Sequence, residues 1–120
     1  MKQLNMAIRQ FEIWLANLNP QKGTEPGKIR PVLVIQTNFL NKVLHPSTLI
    51  CPITTNIDDE LTIIRVNLTK GMAGLDENCD ILIDQIRAID NKRMLKKIGD
   101  LPPQLEKIIK ENLIMVLNLD

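Results

Sequence analysis

Arg30 and the pair Thr54–Thr55 are the residues of this chain whose type and setting best fit chemistry. Arg30 stands where a polar loop meets the apolar run Pro31 to Ile35. Thr54 and Thr55 follow a second apolar run, Thr48 to Ile53. If both runs are strands, neighbouring strands could bring Arg30 and the threonines to one end of a sheet. A guanidinium there offers planar, two-pronged donation to a phosphate, and a threonine hydroxyl adds a donor to a phosphate oxygen. Arginines flank strands commonly, so this pair alone does not fix a function.

The more specific signatures are missing. The sequence has no glycine loop of the P-loop or dinucleotide type, no zinc spacing and no serine in a nucleophile elbow. The single histidine, His45, reads as exposed loop surface. Cys51 and Cys79 lie far apart, in or beside apolar runs, and read as small buried hydrophobes in a reducing compartment. Asp58, Asp59 and Glu60 read as a solvated acidic turn. No metal and no cofactor is expected.

The 120 residues suit one domain, 1–120, and an apolar content of 44% is enough for a core. Two Phe, one Trp and no Tyr exclude a single-strand binder built on rows of stacking rings. The net charge of +1 is unevenly spread. Residues 1–57 carry six Lys/Arg against two Glu, whereas residues 58–120 carry nine against twelve acids. The first half is therefore the better candidate for meeting an anion. With no secretory h-region and no run of membrane-spanning length, a cytoplasmic location away from membranes is expected.

The elements that would position these groups can be read in order. Residues 1–9 form a polar lead expected to fray. Phe11 to Leu18 alternates as a first strand, and Asn19 to Lys28 is turn-rich loop. Pro31 to Gln36 is a second strand, Thr37 to Ser47 an irregular connection, and Thr48 to Ile53 a third strand. Pro52, near its end, suggests an edge strand or the strand's last residue. Leu61 to Thr69 alternates, with Ile64, Val66 and Leu68 opposed to Arg65 and Asn67. Loop follows to Asn78, then one or two short strands within Asp80 to Ile89. Asp90 can cap a helical turn through Met94. Pro102 and Pro103 open a last helix, along which Leu105, Ile108, Ile109, Leu113 and Val116 keep a 3.6-residue period. Its end, Leu113 to Leu117, is apolar on every side, more than one buried face needs. The fold class that results is mainly β, a small barrel of five to seven short strands with a C-terminal helix.

The string Gly23-Thr24-Glu25, followed by Arg30-Pro31-Val32-Leu33-Val34-Ile35-Gln36, resembles the signature of the MazF/PemK toxins. Leu15 to Pro20 resembles that family's first strand and turn, Pro52-Ile53-Thr54 its third strand and following threonine, and Asp84 to Asp90 its late Gln-Ile-Arg segment. The resemblance covers nearly the whole chain. It departs at Phe11–Glu12, where the family usually has a Gly-Asp pair, so a glycine's backbone freedom and a shorter acid are lost.

The resemblance implies an SH3-like barrel that forms a homodimer. It implies metal-independent, sequence-specific cleavage of single-stranded RNA through the RNA 2′-hydroxyl, leaving a 2′,3′-cyclic phosphate and a 5′-hydroxyl. Arg30 and Thr54 would be catalytic; Thr24, Glu25, Asn38, Gln85 and Arg87 would meet the RNA. A cognate antitoxin would neutralise the toxin, and operator DNA would be met only together with it. The competing readings are an inactive relative, a gyrase-poisoning toxin on the same barrel, and an SH3-like interaction module.

Overall fold

The computed structural model describes residues 7–24, 27–61 and 64–119. The expectation of a frayed lead falls mainly outside these residues, but Ile8 is buried and the Arg9 N–H donates to Glu12 Oε1 at 3.0 Å. Seven strands follow: β1 (Glu12–Asn17), β2 (Ile29–Val34), β3 (Ser47–Thr54), β4 (Arg65–Leu68), β5 (Cys79–Leu82), β6 (Arg87–Asp90) and β7 (Met94–Asp100). Among the described residues there are also two α-helices, α1 (Asn38–Lys42) and α2 (Glu106–Leu117). The strands form one antiparallel sheet in the order β4-β5-β3-β2-β1-β7, with β6 paired to β3. The mainly-β reading with a terminal helix is borne out.

Alternation along the strands sorts the apolar residues into two clusters. Ile13, Leu33, Cys51, Ile53, Val66, Leu68 and Ile81 line one face, which α2 covers through Ile109. Trp14, Ala16, Val32, Val34, Ile50, Ile89 and Met94 form a second cluster on the other. β1, β2 and β3 contribute to both, which is why their sequences are apolar at nearly every position.

Three local readings are corrected. The connection from Thr37 to Ser47 contains α1, capped by the Thr37 hydroxyl accepting from the Phe39 N–H. The turn capped by Asp90 ends at Arg93 rather than Met94, and Met94–Asp100, most of which the sequence pattern left unassigned, form a strand. Pro52 lies inside β3, the most central strand, not on an edge. The physical reason is position in the ladder. The bond from Ile35 N to Leu49 O marks the hydrogen-bonded pairs between β2 and β3, and Val32↔Pro52 falls on the alternate kind. The missing N–H of Pro52 thus points away from β2. There β3 changes partner, from β6 at Ile50↔Arg87 to β5 at Ile53↔Ile81.

The departure at Phe11–Glu12 is accommodated. Phe11 takes the left-handed conformation itself, at φ 71°, and buries its ring in the core. Glu12 is buried and accepts from the Trp14 indole N–H at 2.9 Å, while Lys97 pairs with its other oxygen at 3.2 Å. Hydrogen bonds to Asp100 and then to Glu12 raise the pKa of Lys97.

Candidate active site

The β2–β3 ladder stops at Val32↔Pro52, and Pro31 explains why. The bond from Leu18 N to Lys28 O makes Ala16↔Arg30 a hydrogen-bonded pair of β1 and β2, so the nitrogen of Pro31 faces β3. Proline has no N–H to give there, and the two strands part. The same register continued two residues sets Arg30 opposite Thr54. Each is held on its outer side, Arg30 by Ala16 of β1 and Thr54 by Asp80 of β5. Arg30 and Thr54 are therefore the two lips of an opening in the sheet. Both belong to the face of Val32, Val34 and Ile50.

Arg30 is half-buried, and its Nε donates to Gly27 O at 2.8 Å. Gly27 is pressed against Gln21, so that a Cβ there would lie 2.8 Å from the Gln21 backbone. Burial lowers the pKa of Arg30 from its ordinary value. Among the described residues the guanidinium bonds through Nε alone, and its two terminal nitrogens have no partner there. Thr54 is also half-buried, and its Oγ1 accepts from the Asn56 N–H at 3.1 Å. A hydroxyl that accepts one bond keeps its own O–H to donate, so Thr54 can still act as a donor.

The other expected residues are placed unevenly. Arg87 pairs with Ile50 and shares the face of Arg30 and Thr54. Its Nη1 is buried with no partner among the described residues. Gln85 lies half-buried in the turn between β5 and β6, where β3 changes partner. Thr24 is exposed in the β1–β2 loop, and Glu25 lies outside the described residues. Asn38 is not brought to this opening. It starts α1, beyond the opposite end of β2, and its Oδ1 accepts from the Gln10 N–H and from Asn41.

Sequence reasoning missed three residues around Thr54. Asp80 is buried beside it, and Arg65 and Asn67 both donate to Asp80. Beyond Asp80 lies a cleft of about 320 Å³, lined by Asp58, Arg65, Asn67, Leu105 and Ile108 among others; it contains neither Arg30 nor Thr54. Among the described residues no group of three or more His, Cys, Asp or Glu could hold a metal ion. No helix among them is long and apolar enough to cross a membrane.

The profile of the PemK-like, MazF-like toxins of type II toxin–antitoxin systems matches residues 9–117. The chain belongs to this toxin family. An endoribonuclease MazF from Staphylococcus epidermidis is 36% identical over 91 residues, covering 76% of this chain and 75% of the relative. MazF of Deinococcus radiodurans has the same fold, with a TM-score of 0.79 at 22% identity, over 95% of this chain and 99% of that one. So does the toxin MazF-mt6 of Mycobacterium tuberculosis, with a TM-score of 0.76 at 23% identity, over 91% and 98%. In this PemK/MazF chain the family's Arg-Pro string is the one that parts β2 from β3.

Proposed function

We propose that this PemK/MazF toxin is an endoribonuclease that cuts single-stranded RNA at a short sequence without a metal ion. The carrying observation is that the β2–β3 register, continued past its last pair Val32↔Pro52, sets Arg30 and Thr54 on either side of the place where the strands part, on one face with Arg87. An RNA 2′-hydroxyl is its own nucleophile, so the protein needs no serine or cysteine. It must align that hydroxyl with the phosphorus and stabilise the charge that grows on the non-bridging oxygens. The terminal nitrogens of the Arg30 guanidinium and the Thr54 hydroxyl supply donors for those oxygens. Arg87, on the same face, adds positive charge for a neighbouring phosphate. The 2′-oxygen bonds to phosphorus as the bond to the 5′-oxygen breaks, giving a 2′,3′-cyclic phosphate and a 5′-hydroxyl. Thr24, Glu25 and Gln85 read base edges by hydrogen bonding.

The same reading gives the chain a cognate antitoxin protein, a homodimeric state and a place in the cytoplasm. The family's toxin–antitoxin pairing supports the first. Exposed Ile114, Met115, Leu117 and Leu119 at the end of α2 support the second. The deciding experiment incubates the purified protein with mixed-sequence RNA in excess chelator and maps the 5′ ends. Cuts at one short sequence with 5′-hydroxyl ends are expected. Intact RNA would leave the inactive or non-nuclease reading.

A further inference from the structure

Four hydrogen bonds close a ring around Thr54. Its Oγ1 accepts from the Asn56 N–H at 3.1 Å. The carbonyl of the same Asn56 accepts from Arg65 Nη1 at 2.7 Å. Arg65 Nη1 also meets Asp80 Oδ2 at 3.3 Å, and that oxygen accepts from the Asp58 N–H at 3.2 Å. Asp80 is itself fixed, because Asn67 Nδ2 donates to its Oδ1 at 3.2 Å and because it pairs with Thr54 in the ladder. With 3% exposure, Asp80 is a buried carboxylate, and such a group persists where cationic and polar donors surround it. The segment Thr55–Asp59 would otherwise hang free, since all five residues are exposed.

We infer that Arg65 and Asp80 are positioning residues for the proposed RNA cleavage, acting through Asn56 on the Thr54 hydroxyl. Arg65 grips the Asn56 peptide on its carbonyl side, and the N–H side of that residue then holds Thr54 Oγ1. Held by that bond, the hydroxyl keeps its own proton to donate into the opening, where the scissile phosphate would sit. Asp80 sets Arg65 in place and pins the far end of the loop at Asp58. Neither touches the reacting atoms, so their loss should appear in turnover rather than in substrate affinity. This inference rests on the nuclease reading, but the geometry of the ring can be tested apart from it.

The test has two arms. In the first, Arg65→Met, Thr54→Ala and the double variant are compared on an RNA oligonucleotide under single-turnover conditions. Arg65→Met keeps the apolar stem and should lower the rate ten- to hundredfold with KM within about twofold, while adding no further loss in the Thr54→Ala background. Arg65→Lys, whose ammonium can still reach the Asn56 carbonyl, should fall between wild type and Arg65→Met. In the second arm, amide exchange of Asn56 is followed by NMR. Arg65→Met and Asp80→Asn should each speed it about tenfold or more, with the Ile53 and Ile81 amides unchanged. Multiplicative losses in the double variant, or unchanged Asn56 exchange in Arg65→Met, would overturn the inference. A wild-type protein that cuts no RNA would overturn the nuclease reading, and the exchange arm would still decide the ring.

Discussion

The Lys110 ammonium lies 5.7 Å from the centroid of the Phe11 ring, tying α2 to the turn that opens β1. Phe11 holds a positive φ that a glycine would adopt without strain. Its ring is nevertheless buried among Ile13, Leu33 and Leu101. Losing a buried phenyl costs about 3–5 kcal/mol, whereas relief of a left-handed φ returns about 1–2 kcal/mol. Phe11→Gly should therefore lower stability by about 1–4 kcal/mol in urea unfolding. A stabilised variant would show that backbone strain outweighs the ring's packing.

Arg30→Ala and Thr54→Ala test the two lips of the opening. Each should slow RNA cleavage a hundred- to a thousandfold, corresponding to about 3–4 kcal/mol of lost transition-state stabilisation. Neither group is fully buried, so circular dichroism should show the fold intact. Cleavage at the wild-type rate by either variant would rule out the role given to that residue. Activity that returns only with added Mg²⁺ would rule out the metal-free mechanism.

The end of α2 should be a subunit interface. Met115 is 54% exposed and Leu119 69% exposed in the single chain, and burying such a side chain is worth about 1.5–3 kcal/mol. Light scattering at micromolar concentration should give about twice the 13.7 kDa chain mass. Met115→Glu should return the chain mass without lowering the unfolding temperature of the monomer. A wild-type particle of one chain mass would refute the dimer.

Alkaline pH should weaken the fold through Cys51. Burial, and then the charge of Asp84, raise its pKa from 9.0 to about 12. A folded-state pKa above the unfolded one gives stability that is complete below pH 9 and lost as pH rises towards 12. Over that window the loss approaches about 1.4 kcal/mol per pH unit for one such group. Cys79, also raised by burial, adds a slope of the same sign. Urea midpoints of Cys51→Ala measured from pH 8.5 to 11 (roughly the accessible range) should fall less steeply than those of wild type. Equal slopes would show that Cys51 ionises as freely folded as unfolded.

Local pattern carried what depends on neighbours in the chain. Val66 and Leu68 are buried against Asn67 exposed because a period of two is itself a statement about faces. The cap by Asp90 and the proline-led start of the last helix are likewise short-range chemistry. The β7 strand was not legible, because Leu95, Lys96 and Lys97 are all exposed and two register shifts break its pairing with β1. Helix α1 buries no residue, so it has no apolar period to read; its Asn41 is held through Gln36 and Asn38 instead.

The site divides along the same line. The sequence by itself offered Arg30 and Thr54 as strand-end donors, and the family pattern joined them. That they lie on one face, on either side of the place where the strands part, was decided by the register of β2 against β3 and by a proline facing a partner it cannot bond. The clamp of Arg65 and Asp80 on the Thr54 loop had no sequence signal at all. Those residues are 15 apart, and a lone arginine and a lone aspartate at that distance carry no pattern. Hydrogen-bond partners across strands are set by which residues the ladder aligns, and the chain acquires that alignment only on folding.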